Sequence, residues 1–141
     1  MNNRTFAIIK PDAYKKGASG KIIDRIIEEG FEIMGMKSIV LTKEKAEGFY
    51  EIHKDKSFFN ELTEFMSSGK CVLLALKRDN AVNKWREVIG STNPDEADSG
   101  TIRKLFGSNT GNNAVHGSDS KENGNIEILY FFSENELFEE N

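Results

Sequence analysis

One continuous apolar run constrains the fold of this chain more than any other segment: residues 71–76 read Cys-Val-Leu-Leu-Ala-Leu. A strand with one wet face alternates apolar and polar residues. An unbroken apolar run is instead typical of a central strand that is covered on both faces, or on one face and by an interface. Cys71 is the single cysteine and lies in this run, so we interpret it as a core residue. One cysteine excludes an intramolecular disulfide and fits a reducing compartment.

Strand and helix patterns alternate along the rest of the N-terminal two thirds. A stripe of isoleucines over residues 21–29 predicts an amphipathic helix that ends at Gly30. Thr42 fits a helix N-cap, although Lys45 stands where a capping-box Glu would be. We predict further strands over residues 5–9 and 31–41, and further helices over residues 42–53, 58–67 and 81–89.

The C-terminal third departs from this pattern. Residues 90–113 are rich in Gly, Ser, Thr and Asn, so we expect a mostly irregular loop, and a loop of that length is usually functional. Gly124 and Asn125 predict a break, after which residues 126–132 pack on the core. The order β-α-β-α-α-β-α-loop-β suggests an α+β, ferredoxin-like split βαβ fold, in one domain over residues 1–141.

Charge and hydropathy limit the partners of the chain. The net charge of −4 does not favour a nucleic acid, so any nucleotide site must be made positive locally by a few Lys and Arg. No apolar run approaches the ~20 residues that span a bilayer, and the N-terminus lacks a signal-peptide pattern. We therefore expect a cytoplasmic protein that does not bind membranes.

Residues 113–120, Asn-Ala-Val-His-Gly-Ser-Asp-Ser, place a histidine between a short apolar step and a polar turn. The glycine permits backbone angles closed to other residues, and the Ser and Asp side chains can bond local N–H groups. We interpret His116 as a presented nucleophile, because neutral imidazole can attack phosphorus without a separate base. Taken alone, a histidine beside a polar turn is more often an ordinary surface residue.

Taken whole, this string closely resembles the active-site signature of nucleoside diphosphate kinases, Asn-x-x-His-Gly-Ser-Asp. Residues 9–12 (Ile-Lys-Pro-Asp) resemble the first-strand motif of that family, and residues 92–94 (Thr-Asn-Pro) and 100–103 (Gly-Thr-Ile-Arg) resemble its central loop. The similarity runs from about Arg4 to about Phe132. Because the chain ends soon after Phe132, it resembles the short, bacterial type of member.

The resemblance implies a fold, a reaction and partners. It implies a four-stranded antiparallel sheet covered by helices. It also implies transfer of the γ-phosphoryl of a nucleoside triphosphate to a nucleoside diphosphate, by a ping-pong mechanism through a phosphohistidine on His116, with broad base and sugar tolerance. Mg²⁺ is implied as an ion carried by the nucleotide, with no metal site of the protein's own. The expected assembly is a homo-oligomer, with a hexamer favoured over a tetramer.

The family motifs also imply roles for individual residues. They place Lys10, Arg86 and Arg103 near the phosphates, and Thr92 within hydrogen-bonding reach of a phosphate oxygen. Any one of these cations taken alone would be interpreted as a surface charge, and Thr92 as a turn residue. Arginine offers planar two-point contact to phosphate, whereas lysine is a movable point charge.

The remaining implied roles concern the nucleoside and the imidazole. Phe58 is expected to stack on the base, although helical spacing alone would make it a core residue. Leu62 and Thr110 line the other side of the base, and Asn113 with Lys10 binds ribose hydroxyls. The hydroxyl of Tyr50 lies near the histidine. Two residues orient the imidazole and fix its tautomer, namely Ser118 and Glu127.

Several positions depart from the family pattern. Ile52 stands where an acidic residue that helps hold the metal's waters is common. Glu51 is adjacent, and Asp119 could supply the other carboxylate of the metal shell. Ser57 and Ser99 replace prolines, the second in a region of subunit contacts, and residues 104–105 (Lys-Leu) replace a small or polar pair. None of these departures affects the nucleophile or the three cations.

Two other functions compete with catalysis. The first is a binding module that keeps the fold and pocket but has lost the chemistry. The second is a ferredoxin-like RNA-binding domain, whose strands would carry exposed aromatics flanked by basic residues. The predicted strands here are apolar without that pattern, and His116 with its implied partners is present.

Overall fold

The computed structural model describes residues 2–140. Within these described residues, four strands and seven α-helices follow one another as β1 (Asn2–Ile9), α1 (Pro11–Lys15), α2 (Ser19–Glu28), β2 (Glu32–Val40), α3 (Lys43–Phe49), α4 (Phe59–Met66), β3 (Lys70–Asp79), α5 (Ala81–Ile89), α6 (Ile102–Phe106), β4 (Val115–Gly117) and α7 (Lys121–Phe131). Short 3₁₀ turns lie at Glu51–His53, Pro94–Glu96 and Glu134–Glu136.

The strands form one antiparallel sheet in the order β2-β3-β1-β4. This arrangement confirms the ferredoxin-like prediction. Strand β3 pairs with β1 on one side and β2 on the other, and its residues 71–76 are all buried. The apolar run is therefore covered on both faces.

Each face of the sheet carries its own core. On one face, Leu74 and Leu76 pack with Ile22 and Ile26 of α2 and with Trp85 of α5. On the other face, Leu73 belongs to a cluster with residues of α3, α4 and α7, among them Ala46, Met66 and Ile128. Full burial of one such large apolar side chain contributes roughly 1.5–3 kcal/mol, so the two layers hold the sheet from both sides.

Most predicted elements agree with the structure to within three residues. Thr42 caps α3 by accepting a hydrogen bond from the backbone N–H of Lys45 at 3.1 Å. The predicted helix over residues 42–53 is divided, since α3 ends at Phe49 and a 3₁₀ turn follows. Helix α1 was not predicted, and residues 90–113 contain a 3₁₀ turn and α6 rather than only irregular chain.

The predicted break at Gly124 and Asn125 is wrong, because α7 runs through both residues and residues 126–131 are helical. A Cβ at Gly124 would lie 3.1 Å from the carbonyl oxygen of Arg4 on β1. The glycine therefore lets α7 pack closely on β1. The strand after the long loop is instead β4, which contains His116. Over residues 2–140, we find no helix with the length and apolar character that a bilayer span requires.

Candidate active site

A cavity of about 1330 Å³ lies beside His116, with walls from α4, α5, β4 and the segment between α5 and β4. It brings together ten residues that the sequence analysis singled out: Lys10, Tyr50, Phe58, Leu62, Arg86, Thr92, Arg103, Thr110, Asn113 and His116. The other two, Ser118 and Glu127, do not line the cavity and instead contact one another beside the imidazole.

His116 lies on an edge strand of the sheet and not on a turn. It pairs with Ile8 of β1, and its ring packs edge-on against Phe49 with centroids 5.3 Å apart. Gly117 has no positive φ, so the backbone freedom that a glycine permits is not used at this position. A Cβ there would lie 2.8 Å from Cδ1 of Trp85, so the glycine makes room for that ring.

Glu127 engages one nitrogen of the imidazole. His116 Nε2 lies 3.1 Å from Glu127 Oε1, and the hydroxyl of Ser118 donates to the same oxygen at 2.6 Å. Since a carboxylate oxygen accepts, Nε2 is the nitrogen that carries the proton in the neutral ring. The lone pair is then on Nδ1.

The polar residues after the histidine do not all form the predicted local turn. Ser118 accepts from the backbone N–H of Phe6 on β1 at 3.1 Å, so it ties β4's end to the neighbouring strand. Ser120 instead bonds locally, because it caps α7 by accepting from Asn123 N at 3.1 Å. Asp119 accepts from the side-chain amide of Asn123 at 2.6 Å and is exposed.

Lys10 follows β1 and is buried against Asn113. Its Nζ donates to Asn113 Oδ1 at 2.8 Å, and the amide nitrogen of Asn113 donates to the carbonyl oxygen of Thr92 at 3.0 Å. Burial lowers the pKa of Lys10 to about 8, helped by the charge of Arg103 and opposed by that of Asp12. The surroundings of Lys10 therefore disfavour the charged form of its side chain.

Arg103 is held by two backbone carbonyls. Nη1 donates to Gly90 O at 3.1 Å and Nη2 donates to Val115 O at 2.9 Å. Burial and, to a smaller extent, the nearby charge of Arg86 lower the pKa of Arg103 to about 10. Arg86 is exposed near the end of α5. Three cations thus converge on one cavity, and an anionic ligand would relieve their mutual repulsion.

An apolar part of the cavity surrounds Phe58. This side chain is 47% exposed at the start of α4, so the core alternative is excluded. Its ring contacts His53 with centroids 5.7 Å apart, and Leu62 is half-buried one turn later. His53 also lines the cavity, although no motif in the sequence indicated it; its position three residues after Tyr50, about one helical turn, was the available signal.

Tyr50 places a buried hydroxyl at the cavity. That hydroxyl has no hydrogen-bond partner within residues 2–140. Burial, with the charge of Glu127, raises the pKa of Tyr50 well above its usual range, so the phenol stays protonated. A buried hydroxyl without a partner costs free energy and is available to a ligand oxygen.

In the part of the chain that the structure describes, we find no preformed metal-binding site. Over residues 2–140, His, Cys, Asp and Glu side chains do not gather in groups of three or more that could bind an ion.

An imidazole lone pair beside three clustered cations is the chemistry of an enzyme that passes phosphoryl groups through a histidine. Residues 3–137 match the family model described as nucleoside diphosphate kinase. The chain therefore belongs to the nucleoside diphosphate kinase family, and it is an enzyme that transfers phosphate between nucleotides.

Individual relatives agree with this assignment. The chain is 58% identical to the nucleoside diphosphate kinase of Geotalea daltonii and 55% identical to that of Geobacter sulfurreducens, each over 95% of this chain and 98% of the relative. Among solved structures, the Aquifex aeolicus nucleoside diphosphate kinase is 46% identical, with a TM-score of 0.96 over 98% of this chain and all of that one. The Halobacterium salinarum enzyme, solved in complex with CDP, is 33% identical, with a TM-score of 0.95 over all of this chain and 94% of that one.

Proposed function

We propose that His116 carries the phosphoryl group between nucleotides and that Nδ1 is its attacking atom. The observation that supports this most directly is the contact of Nε2 with Glu127, which leaves the lone pair on the other nitrogen. A covalent intermediate divides the transfer into two similar half-reactions, so that one site serves every nucleotide in turn.

In the first half-reaction, the lone pair of Nδ1 forms a bond to the γ-phosphorus, and the bond between that phosphorus and the β–γ bridging oxygen breaks. The diphosphate leaves with the bridging electron pair. The ring gains positive charge while Nε2 keeps its proton, and the carboxylate of Glu127 at 3.1 Å stabilises that charge. The second half-reaction runs this step backwards with another diphosphate.

The three cations bind and neutralise the phosphates. Arg86 and Arg103 offer planar two-point contacts, and Lys10 supplies a point charge. The hydroxyls of Thr92 and Tyr50 donate to phosphate oxygens, which would satisfy the buried phenol. In phosphoryl transfer, positioning and charge neutralisation of this kind supply most of the rate.

The nucleoside occupies the part of the cavity near α4. Phe58 stacks on the base, Leu62 and Thr110 line its other side, and Asn113 with Lys10 binds the ribose hydroxyls. Stacking tolerates every base, so purine and pyrimidine, ribose and deoxyribose nucleotides should all react. The CDP bound by the Halobacterium salinarum relative supports a nucleoside diphosphate as ligand here.

Mg²⁺ enters with the nucleotide. When bound, the ion would neutralise charge on the phosphates, and we expect few direct protein ligands for it. Residue 52 is an exposed isoleucine and therefore offers no carboxylate. We assign the role of holding the ion's waters to Asp119, which is exposed three residues after His116.

The family is oligomeric, and we propose that this chain forms a homo-oligomer. Six subunits are favoured over four. The proposed location is the cytoplasm. Exposed apolar side chains support subunit contacts: Met36 and Val40 lie on the edge strand β2, and Ile27 lies on α2. Size-exclusion chromatography with light scattering gives the number of subunits.

Labelling tests the proposed function. The protein is mixed with γ-labelled ATP and Mg²⁺, and free nucleotide is then removed. We expect about one label per chain, its removal by any unlabelled nucleoside diphosphate, and no label on His116→Ala with diphosphate binding retained. A pure binding module would bind nucleotide and take up no label, and label on His116→Ala would contradict the assignment.

A further inference from the structure

The backbone between Asn113 and Val115 makes a γ-turn with positive φ. The φ angle of Ala114 is 75°, and the N–H of Val115 donates to the carbonyl oxygen of Asn113 at 2.9 Å. This form of γ-turn is rare and strained for a residue with a side chain. Ala114 is fully buried, and such a conformation persists only where the surrounding structure over-determines it.

Both polar backbone groups of Ala114 are bonded to residues 10–12. Its N–H donates to Asp12 Oδ2 at 3.0 Å, and its carbonyl oxygen accepts from the N–H of Lys10 at 2.8 Å. The other carboxylate oxygen of Asp12 is buried and has no partner within residues 2–140. In that part of the chain, the contact with the γ-turn is therefore the one hydrogen bond that the Asp12 carboxylate makes.

The γ-turn joins two parts of the site. Asn113, at its start, accepts from Lys10 Nζ, and His116 follows it on β4. We propose that Asp12 is a positioning residue for phosphoryl transfer: by holding the γ-turn, it fixes Asn113 and Lys10 relative to His116. This inference rests on the roles of Lys10 and His116 proposed above.

Asp12 also acts on Lys10 through its charge. The charged groups that face Lys10 are Arg103 from α6 and Asp12 from α1, and Asn113 beside them is neutral. Burial and Arg103 lower the pKa of Lys10, whereas Asp12 raises it. Removal of the carboxylate should therefore make Lys10 lose its proton at a lower pH, which a loss of folding stability alone would not do.

Two substitutions separate the hydrogen bond from the charge. Asp12→Asn keeps an oxygen for the N–H of Ala114 and removes the charge, whereas Asp12→Ala removes both. We would measure the single-turnover rate of phosphoenzyme formation from pH 6 to 10, together with the Kd for ADP. Asp12→Ala should be slowed about 10- to 100-fold at pH 7, because small misplacements of reacting groups cost that much. Its Kd for ADP should change by a smaller factor than the rate does.

Asp12→Asn should be slowed less than Asp12→Ala at pH 7, and in both the alkaline fall in rate should begin at lower pH than in the wild type. Glycine adopts positive φ without strain. Asp12→Ala should therefore slow the reaction less in an Ala114→Gly background. Glu44→Ala is the matched control, since Glu44 is exposed at the same second position of α3 and outside the cavity.

Wild-type rates and pH profiles in both Asp12 variants would overturn the proposal, as would reduced thermal stability with unchanged kinetics. If Asp12→Ala does not fold, the pH profile of Asp12→Asn decides. Label on His116→Ala would contradict the proposed function instead, so the two failures are distinguishable.

Discussion

The guanidinium of Arg103 donates a hydrogen bond to the carbonyl oxygen of Val115 at 2.9 Å, one residue before His116. A proposed phosphate-binding cation is thereby tied directly to the strand that holds the proposed nucleophile. Its second bond, to the carbonyl oxygen of Gly90, reaches the end of α5, where Arg86 lies one turn earlier. The guanidinium of Arg103 thus joins β4 to the end of α5.

Arg103→Ala and Arg86→Ala should differ in stability although both lose activity. A phosphate contact used in the transition state is typically worth roughly 2–4 kcal/mol, so each kcat/KM should fall about 30- to 1,000-fold. Arg103→Ala also removes the partner of two backbone carbonyls and should lower the melting temperature, whereas Arg86 is exposed and should not. Steady-state kinetics measures kcat/KM of the two variants, and thermal unfolding measures their melting temperatures. Near-wild-type kinetics in either variant would mean that the substituted arginine is only a surface charge.

Glu127→Gln should slow phosphorylation of His116 while leaving nucleotide affinity nearly unchanged. A hydrogen bond to a charged group contributes roughly 1.5–3 kcal/mol, so the single-turnover rate should fall about 10- to 100-fold. Ser118→Ala should have a smaller effect of the same kind, because the hydroxyl donates to the same carboxylate oxygen. Equal rates in Glu127→Gln and the wild type would mean that the carboxylate does not support the ring.

The burial of Lys10 predicts a pH dependence. Its pKa is lowered from 10.5 to about 8, so the rate should fall as pH rises through 8 and the charge is lost. Stability should respond with the opposite sign. Between these two pH values the unfolded chain binds more protons than the folded one, so the contribution of Lys10 to the free energy of unfolding rises with pH.

A pH–rate profile checks this prediction, with Lys10→Gln as the comparison. That variant should be slow throughout and should lack the fall near pH 8. The pKa of Arg103 is about 10, so Arg103 does not account for a fall in rate near pH 8. A fall near pH 8 that persists in Lys10→Gln belongs to another group.

Phe58→Ala should raise KM for purine and pyrimidine nucleotides alike. Stacking is worth roughly 1–3 kcal/mol per base, which corresponds to about 5- to 150-fold. Phe138→Ala is the control, because Phe138 is 73% exposed and does not line the cavity. In the wild type, discrimination of more than about a thousandfold between bases would refute an open, stacking cleft.

Burial patterns made the fold predictable, and motifs indicated the residues of the site. The apolar run of β3 and the isoleucine stripe of α2 reflect the two covered faces of the sheet, because burial dominates their residue choice. The three cations Lys10, Arg86 and Arg103 are far apart in sequence. Only their positions in motifs predicted that they would line one cavity.

The parts that sequence did not predict depend on neighbours distant along the chain. Gly117 and Gly124 were interpreted through backbone freedom, yet each leaves space for another element, the ring of Trp85 or strand β1. A single sequence does not reveal which element packs on a glycine. The γ-turn at Ala114 has no local signal either, because alanine ordinarily avoids positive φ and the bond that holds the turn comes from Asp12.

The chemical stability of the labelled phosphoenzyme shows whether His116 carries the phosphoryl group, because Ser118 and Asp119 lie beside His116. The wild-type protein is labelled with γ-labelled ATP and Mg²⁺, freed of nucleotide, and divided between mild acid and mild alkali. A phosphohistidine loses its label in acid, where protonation makes imidazole a good leaving group, and keeps it in alkali. An acyl phosphate is lost in alkali, and a serine phosphate survives acid. We predict label that acid removes and alkali preserves; label that survives acid, or that alkali removes, would contradict a phosphohistidine on His116.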